Sequence, residues 1–583
     1  MAQFFKIFFA SLLALFVFTL LSVFLFFGIV AAFSSKEKPE IEKASVLVLD
    51  LSQPFNEQER ENPLADLTSS QSSAPGLFDV VRLIKTAKTD AKVSGIHIRA
   101  NGNANSFASS NELRNALLDF KTSGKPVLAY ADVMSQGAYF VASTANKVYI
   151  NPAGGLDWSG YNIDFVFFKN LLDRLQIEPQ IFYAGKFKSA TEPFRTTQMT
   201  PENKVQTVEW LGDLYQHFLR SVSKSRNIDT ASLHKLATIA AIQRPEDALT
   251  FKLVDGLKYD DEVRQEWKRL LKAKENEQLN LLEMSKYADA ADFRVSGKDR
   301  IAVVYAQGDI VDGNGTDDNI GGDRFAALVR KVRQDRTIKA IVVRVNSGGG
   351  SALASELMWR ELELAKKDKP VVMSFGDVAA SGGYYMAAGA DSIFAHPNTI
   401  TGSIGVFTLI PNMQGFFNNK LGITFDGVKT AEFADAGGVY KPLNTTEKQI
   451  IQSGVDQIYD RFKQRVATGR KRSITYVDSI AQGRVWSGED ALRLGLVDKL
   501  GGLQDAIDCA ARMAKTNNYR LREYPEQGDW FNRLLNKATN DQPGIQIREQ
   551  VGQENYEVFK QLVQIRSWTK GVQARIPFYF LAK

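Results

Sequence analysis

The longest run of apolar residues lies at the N terminus of the chain. Ile7 to Phe33 contains no charged side chain. A membrane-spanning helix needs about 20 apolar residues, so this run is long enough. A cleaved signal peptide has a shorter apolar core, of about 7–15 residues, although Val30-Ala31-Ala32 leaves cleavage open. We therefore predict a membrane anchor within residues 1–43, with the long downstream body outside the cytoplasm.

Beyond the anchor, short β-branched segments alternate with amphipathic segments. In the second half of the chain this pattern predicts strands at 301–306, 340–345, 371–375 and 392–396, and helices at 322–334, at 351–366 and from about 382. Strands separated by helices are typical of an α/β fold with parallel strands.

The body contains an internal repeat. Val93–Arg99 matches Ile338–Arg344, and Ala131–Phe140 matches Gly376–Tyr385, both at an offset of 245 residues. A third match, at an offset of 243, relates the segments that begin at Glu246 and Glu489. A spacing kept over this distance indicates tandem homologous domains. We predict a first domain at 44–295, a second at 296–515 and a C-terminal extension at 516–583.

The extension carries an apolar run, Ile576–Leu581, that fits neither domain pattern. A docking strand and a contact with a partner protein are both consistent with it.

Composition excludes several classes of protein. Hydrophobic residues make up 44% and charged residues 24%, as in globular proteins. A net charge of +6 over 583 residues, without a basic cluster, does not indicate a nucleic-acid partner. One cysteine and four histidines, none in a metal-binding pattern, predict no metal site and no cofactor.

Two glycine-containing turns follow predicted strands of the second domain. Asn346–Ser351 reads NSGGGS and presents backbone N–H groups, but it lacks the lysine of a phosphate-binding loop. The other turn holds Ser381, followed by Gly382, an arrangement resembling a nucleophile with an adjacent oxyanion donor. The first domain has Gln136 where the second has Ser381, so the scaffold does not require serine.

A pair of lysines occurs in the first domain, and only one of the two has a lysine opposite it in the second domain. Lys186 and Lys188 flank Phe187, and we expect a strand-like setting in which both lysines face one side. The second domain keeps Lys429 opposite Lys186 but has Ala431 opposite Lys188. Each domain therefore carries one member of a candidate lysine–serine pair.

These motifs, with TGSIG at 401–405 and GKFKSATEPF at 185–194, resemble peptidase family S49, the signal peptide peptidases, in its long tandem form. The resemblance implies Clp-protease/crotonase-like α/β domains built of repeated ββα units. It also implies Ser381 as nucleophile, Lys188 as general base and Ser403 as the hydroxyl that orients Lys188. Gly350 and Gly382 would supply the oxyanion-hole N–H groups. One departure is Gly348, where the family often has proline.

The resemblance further implies the substrates and the assembly. It suggests released signal peptides and other hydrophobic peptides as substrates, and a homo-oligomer that is expected to be a tetramer. The body would lie on the periplasmic side of a bacterial inner membrane, held by a single membrane-spanning helix. Whether serine and lysine pair within one chain or between chains stays open.

Lys188 can act as a general base only if its amine is neutral at the working pH. A lysine with a pKa of about 10.4 is almost wholly protonated at neutral pH, so Lys188 must be buried away from carboxylates. Glu192 is near in sequence and must point elsewhere.

Two alternative functions remain: an acyl-CoA enzyme of the crotonase type, for which Asp377 is the nearest carboxylate, and a non-catalytic membrane scaffold.

Overall fold

The computed structural model describes residues 2–34, 40–58, 75–274, 276–294, 296–526 and 571–576. Helix α1 (Ala2–Ser34) opens the chain. At 1.5 Å per residue its 33 residues span about 50 Å, more than the ~30 Å hydrocarbon core of a bilayer. The stretch Gln3–Ser22 has a mean hydropathy of 2.4 and is not covered by the rest of the protein. The predicted N-terminal apolar helix is confirmed.

Short strands alternate with helices through the body. The strands are β1 Ser45–Asp50, β2 Val93–Arg99, β3 Val127–Met134, β4 Lys147–Leu156, β5 Glu178–Ala184, β6 Gly256–Leu257, β7 Leu281–Glu283, β8 Asp299–Gln307, β9 Asp309–Val311, β10 Asn319–Gly321, β11 Ile338–Ser347, β12 Gly349–Ser351, β13 Val371–Ala380, β14 Ser392–Ala395, β15 Ile400–Gly402, β16 Val406–Asn412, β17 Val485–Ser487, β18 Lys499–Leu500, β19 Tyr519–Tyr524 and β20 Gln573–Arg575.

The helices vary from one turn to seven. They are α2 Leu77–Thr89, α3 Phe107–Lys121, α4 Gln136–Ala142, α5 Lys169–Leu175, α6 Glu192–Arg195, α7 Pro201–Arg226, α8 Thr230–Thr238, α9 Pro245–Thr250, α10 Asp260–Leu271, α11 Met284–Ala290, α12 Gly322–Gln334, α13 Ala352–Lys366, α14 Gly382–Ala387, α15 Thr445–Gly469, α16 Ile474–Ile480, α17 Gly488–Arg493 and α18 Leu503–Met513.

The two halves of the body contain sheets with corresponding strand orders. The first sheet runs β6-β4-β3-β2-β1-β7, and the second contains the matching series β18-β14-β13-β11-β8-β19. All pairs in both series are parallel. The sequence repeat is therefore a repeat of the fold, and the predicted tandem α/β architecture is confirmed.

The central strands each contain a continuous run of buried apolar residues. Val46–Leu49 in β1 and Ile301–Val304 in β8 are buried at every position. Such runs are expected where helices cover both faces of a parallel sheet. The second sheet extends beyond residue 515, because β19 adds to β8 in parallel register.

A third, mixed sheet joins the two halves, with the order β10-β9-β12-β20-β16-β5. Strand β5 of the first half pairs antiparallel with β16 of the second over seven residues, from Glu178↔Asn412 to Ala184↔Val406. Strand β20, from the C-terminal extension, lies between β12 and β16. This sheet brings the turn after β5 to the carboxyl end of β13.

A buried ion-pair network also links the halves. Arg344 on β11 is 1% exposed and donates to Glu57 Oε2 at 2.8 Å and to Glu112 Oε1 at 2.6 Å. Both carboxylates belong to the first half, and His396 Nε2 lies 3.1 Å from Glu112 Oε1. Burial opposes ionisation of Glu112, but the charge of Arg344 and the hydrogen bond from His396 lower its pKa to about 2. Arg344 therefore neutralises carboxylates that water cannot reach.

We expect Arg344→Ala to lower the free energy of unfolding by about 3–5 kcal/mol, because it strands two buried carboxylates. Arg99 is the matched control. It occupies the repeat-equivalent position, its side chain is 36% exposed, and its closest ion pair is with Glu283 at 2.9 Å. Arg99→Ala should cost no more than about 1 kcal/mol. Urea denaturation of the detergent-solubilised chain measures both; equal effects would contradict the role given to the network.

Candidate active site

Ser381 lies at a sharp turn between a strand and a helix. Strand β13 ends at Ala380, and α14 begins at Gly382. Ser381 itself has φ 54° and ψ −112°, an unfavourable conformation for a residue with a Cβ. Its N–H donates to the carbonyl of Gly402 at 2.8 Å, and its carbonyl accepts from Tyr385 at 2.7 Å. The turn thus holds the hydroxyl in one strained, fixed position, as nucleophile elbows do.

Lys188 reaches the same point from the first half of the chain. Strand β5 ends at Ala184, and Gly185, with φ +103°, turns the chain out of the sheet. The expectation that Lys186 and Lys188 share one strand face is wrong, because both lysines lie beyond the strand, in a turn closed by the hydrogen bond from Lys188 N–H to the Gly185 carbonyl at 3.0 Å. Lys186 is exposed, whereas Lys188 is 1% exposed. Phe187 N–H donates to Gln482 of the second half at 2.8 Å, which fixes the turn.

Three side-chain groups converge at this point. Lys188 Nζ lies 2.9 Å from Ser381 Oγ and 3.0 Å from Ser403 Oγ. The carbonyl oxygen of Ser403 is 3.2 Å from the same nitrogen. The amine therefore contacts both hydroxyls at hydrogen-bonding distance, although Lys188 and Ser381 are 193 residues apart.

The surroundings of Lys188 favour its neutral form. Burial lowers the pKa of Lys188 well below its usual value, and the positive charge of Arg575 lowers it further. Within the described residues Lys188 forms no ion pair with a carboxylate. Glu192, the nearest in sequence, accepts hydrogen bonds from Thr200 and from Asn203 Nδ2, and so points away. These contacts satisfy the condition set by the acid–base chemistry.

Ser403 is held by the backbone around it. It has φ 48°, its N–H donates to Arg484 at 2.6 Å, and its hydroxyl donates to the carbonyl of Gly483 at 3.3 Å. With its proton used in this way, the hydroxyl oxygen can accept from Lys188. The equivalent position in the first half is Trp158, which is buried and donates from Nε1 to Leu233 at 2.9 Å. Trp158 therefore has a packing role.

The two predicted oxyanion donors lie on adjoining elements. Gly382 is the first residue of α14, where backbone N–H groups lack intrahelical acceptors. Gly350 lies on β12 with φ +157°, and a Cβ there would meet the Ile310 carbonyl oxygen at 1.9 Å. Only glycine fits that position, so the backbone path requires Gly350.

Known proteins share this organisation. The model of peptidase family S49 matches residues 119–274 and 363–517, one match in each half. The chain belongs to peptidase family S49. It is 38% identical to Protease 4 of Haemophilus influenzae over 75% of this chain and 72% of that protein. It is 37% identical to Protease 4 of Salmonella typhi, over 81% and 77%. It is 29% identical to the chloroplastic serine protease SPPA of Arabidopsis thaliana, over 81% and 70%.

Family membership makes the chain a protease with two S49 units behind an N-terminal apolar helix. The unit that lacks the serine has a different arrangement at that position. The Gln136 side chain both donates to and accepts from the backbone of Gly160, at 2.8 and 2.9 Å. Lys429, opposite Lys186 in the repeat, is paired with Asp435 at 3.1 Å. Neither contact resembles the Lys188–Ser381 arrangement.

Sequence reasoning missed one part of this S49 site. Strand β20 lies beside Gly350, and Arg575 influences Lys188. The apolar run beginning at Ile576 was the only signal in the sequence, and it does not specify which sheet edge the segment joins. The apolar residues after Ile576 lie outside the described residues.

If Lys188 accepts a proton during the reaction, we expect Ser403→Ala to lower kcat by about 10- to 100-fold, because a hydrogen bond to the amine in its charged form is worth about 1.5–3 kcal/mol. Steady-state kinetics across a pH series measures this loss. If Lys188 is the general base predicted for it, the wild-type rate should rise with pH, since only a neutral amine can accept a proton, and should level off above its lowered pKa. A purely structural Ser403 would leave the pH profile unmoved, and unchanged kcat with unchanged profile would contradict the role given to it.

Proposed function

We propose that this protease is a serine endopeptidase that works through a dyad of Ser381 and Lys188. The observation that carries the proposal is the 2.9 Å contact between a fully buried lysine amine and a hydroxyl held at a strained turn. The domain at 44–295 would supply the base and the domain at 296–515 the nucleophile. Neither unit alone would be active.

The proposed reaction follows from the positions of these groups. Neutral Lys188 takes the proton of Ser381 Oγ as that oxygen attacks the substrate carbonyl. The N–H groups of Gly350 and Gly382 stabilise the oxyanion. Lys188 then gives its proton to the departing amine, and a water molecule activated by Lys188 hydrolyses the acyl-enzyme. Ser403 keeps the amine directed at Ser381 throughout.

The two alternatives receive less support. A crotonase-type enzyme would use a carboxylate near the glycine turns, but Asp377 accepts from the N–H groups of Ala108 and Ser109, both at 2.9 Å. It is engaged in joining the two halves. A non-catalytic scaffold gives no reason for holding Ser381 in a strained conformation or for burying Lys188 without a carboxylate.

We propose hydrophobic peptides, including released signal peptides, as the substrates. Ala379 and Ala380 beside the nucleophile are small and buried, so we expect the substrate cleft next to them to be apolar and to suit an extended chain. Apolar residues continue from there: Trp210, Leu214, Ile400 and Val485 form one cluster with Ala380. An N-terminal anchor in a bacterial inner membrane, with the body in the periplasm, would hold this cleft near such peptides.

We further propose a homo-oligomer, with a tetramer as the expected form. Strands β5 and β16 pair across the two halves, and the 245-residue offset of the repeat relates them to 423–429 and 161–167. Neither of those two segments forms a strand in the described chain. Val166 is 59% exposed and Val428 is fully exposed. Pairing of 161–167 with 423–429 of a neighbouring chain would repeat the β5–β16 contact around a ring.

Ser381→Ala and Lys188→Ala should each reduce hydrolysis of a hydrophobic signal peptide by at least about 10³-fold, and the double variant should be little worse. Lys186→Ala is the matched control, because Lys186 is exposed and two residues away, and it should keep its activity. A charged peptide of equal length should be cleaved more slowly. An active Lys188→Ala protein would refute the dyad, and equal rates on both peptides would refute the apolar preference.

Val428→Asp should weaken the assembly, because a charge within the proposed intermolecular strand pair is unfavourable. Sedimentation of the detergent-solubilised chain should give an oligomer for the wild type and smaller species for the variant. Glu432→Asp, a conservative change on the exposed surface nearby, should sediment as the wild type does. A wild-type protein that sediments as a monomer while fully active would contradict the proposal.

A further inference from the structure

One loop of the second half contacts two residues of the candidate site. The loop consists of residues 481–484 and connects α16 to β17. Its carbonyls at Gly483 and Arg484 accept hydrogen bonds from the Ser403 hydroxyl at 3.3 Å and from the Ser403 N–H at 2.6 Å. The loop therefore fixes both the backbone and the hydroxyl of the residue that is expected to orient Lys188.

The same loop packs directly against Lys188. A Cβ placed on Gly483 would be 2.7 Å from the backbone nitrogen of Lys188 and 2.8 Å from its Cα. No side chain fits into so short a gap, and Gly483 itself has φ +76°. The neighbouring Gln482 carbonyl accepts from Phe187 N–H at 2.8 Å. The backbone of the lysine thus rests on the loop, and the position of the loop determines where the amine lies.

Gln482 adopts a backbone conformation that requires support from its surroundings. Its φ is 53°, in the left-handed region that residues with a Cβ seldom occupy. Such conformations persist where the surrounding structure enforces them, and they cluster at functional sites. Two contacts enforce this one. The N–H of Gln482 donates to the Tyr459 hydroxyl oxygen at 3.1 Å, and its side-chain Nε2 donates to Asp478 Oδ1 at 3.2 Å.

Tyr459 is the buried member of this supporting pair. It lies on α15, whereas the carboxylate of Asp478 on α16 is partly exposed. The Tyr459 oxygen accepts from the loop, and its own proton is directed to Asp478 Oδ1, 3.5 Å away. The Lys463 amine lies 3.0 Å from the same Oδ1 and 4.4 Å from the centre of the Tyr459 ring. The hydroxyl is therefore held in a fixed position as the acceptor for the loop.

The first unit has a tyrosine at the same position but lacks this contact. Tyr215 and Tyr459 each lie fifteen residues after the N-cap of their helix, Thr200 and Asn444 respectively. The Tyr215 hydroxyl lies 3.4 Å from His234 Nδ1. Among the residues that the structure describes, no loop N–H donates to it. The hydrogen bond from the loop to the tyrosine is thus a feature of the unit that encloses the lysine.

We propose that Tyr459 is a positioning residue of this protease. Through the loop at 481–484 it keeps the Lys188 amine at hydrogen-bonding distance from Ser381, and it does not itself contact the substrate. This inference rests on the proposed serine–lysine function. Loss of the Tyr459 hydroxyl would leave a loop N–H without its acceptor and relax the loop. The amine would then move away from Ser381 and be reached by water.

The pH profile distinguishes positioning from a purely structural role. Burial lowers the pKa of Lys188, with a further contribution from the charge of Arg575, so contact with water would raise that pKa toward its ordinary value. Only a neutral amine accepts a proton, and the rate would therefore need a higher pH. Burial raises the pKa of Tyr459 to about 12, so its hydroxyl keeps its proton at ordinary assay pH. The charged groups in contact with Tyr459, Asp478 and Lys463, form an ion pair.

Kinetics of hydrophobic-peptide hydrolysis by the detergent-solubilised full chain, measured over a pH series, tests the proposal. Tyr459→Phe should lower kcat by about 10-fold, leave KM unchanged and move the pH profile to higher pH. Tyr476→Phe is the matched control, because it removes a hydroxyl that donates to the Leu494 carbonyl at 3.0 Å from the neighbouring helix α16. It should cost a similar free energy of unfolding in urea but keep the wild-type kcat and pH profile.

A second pair of variants tests the contact between the loop and the lysine. Gly483→Ala places a methyl group against Lys188 and should lower kcat by at least about 100-fold. Gly495→Ala is its control, since Gly495 has φ +73° and the substitution imposes a similar backbone strain. The added Cβ would there meet the exposed side chain of Arg472, which can move, so activity should be kept. A Gly483→Ala protein as active as Gly495→Ala would overturn the role of the loop.

The outcomes separate this inference from the proposed function. If Ser381→Ala and Lys188→Ala are inactive while Tyr459→Phe keeps the kcat and pH profile of Tyr476→Phe, the positioning role is overturned and the dyad stands. If Lys188→Ala retains activity, the dyad and the positioning role are both overturned. A Tyr459→Phe protein whose kcat falls only with its folded fraction, and whose pH profile is unmoved, would make the tyrosine structural and overturn the inference.

Discussion

The Lys188 amine is buried with no carboxylate partner among the residues that the structure describes, and this burial is the constraint on which the rest of the structure depends. An ammonium group in such a place is strongly disfavoured, so the amine is neutral over a wider range of pH than an exposed lysine. The burial requires both halves of the chain. The turn after β5 brings the lysine, and Gln482, Ser403 and Ser381 of the second half enclose it. Contacts that hold the halves together therefore also maintain the chemistry.

Duplication explains how one chain provides both parts of the site. The two units share a strand order, but they differ at the positions that matter here. Gln136 stands where the other unit has Ser381, and Ala431 stands where the first has Lys188. Each unit keeps the scaffold and one of the two groups. The two units also differ at Arg344. It forms ion pairs with Glu57 and Glu112 of the other unit, whereas its repeat equivalent Arg99 is partly exposed.

The mixed sheet places strand edges beside the candidate site. Strand β12 carries Gly350 at an edge that accepts a further strand, and β16 offers a second edge opposite. Backbone hydrogen bonds recognise any extended chain, so selectivity must come from the side-chain spaces. In this structure Ala574 is completely buried, and Ile576 packs in the apolar cluster of Trp210 and Ala380.

The sequence by itself determined the repeat, the alternation of strands and helices, the apolar N-terminal helix and the family. These features depend on local periodicity and on spacings along the chain. Comparison of the two units also singled out Lys188 and Ser381, since each differs from its counterpart. Tertiary structure decided the rest: the burial of Lys188 but not Lys186 in the turn that begins at Gly185, the Arg344 network and the insertion of β20 beside Gly350. Those features join residues that are far apart in the chain, and the free energy of each depends on burial that no local pattern encodes.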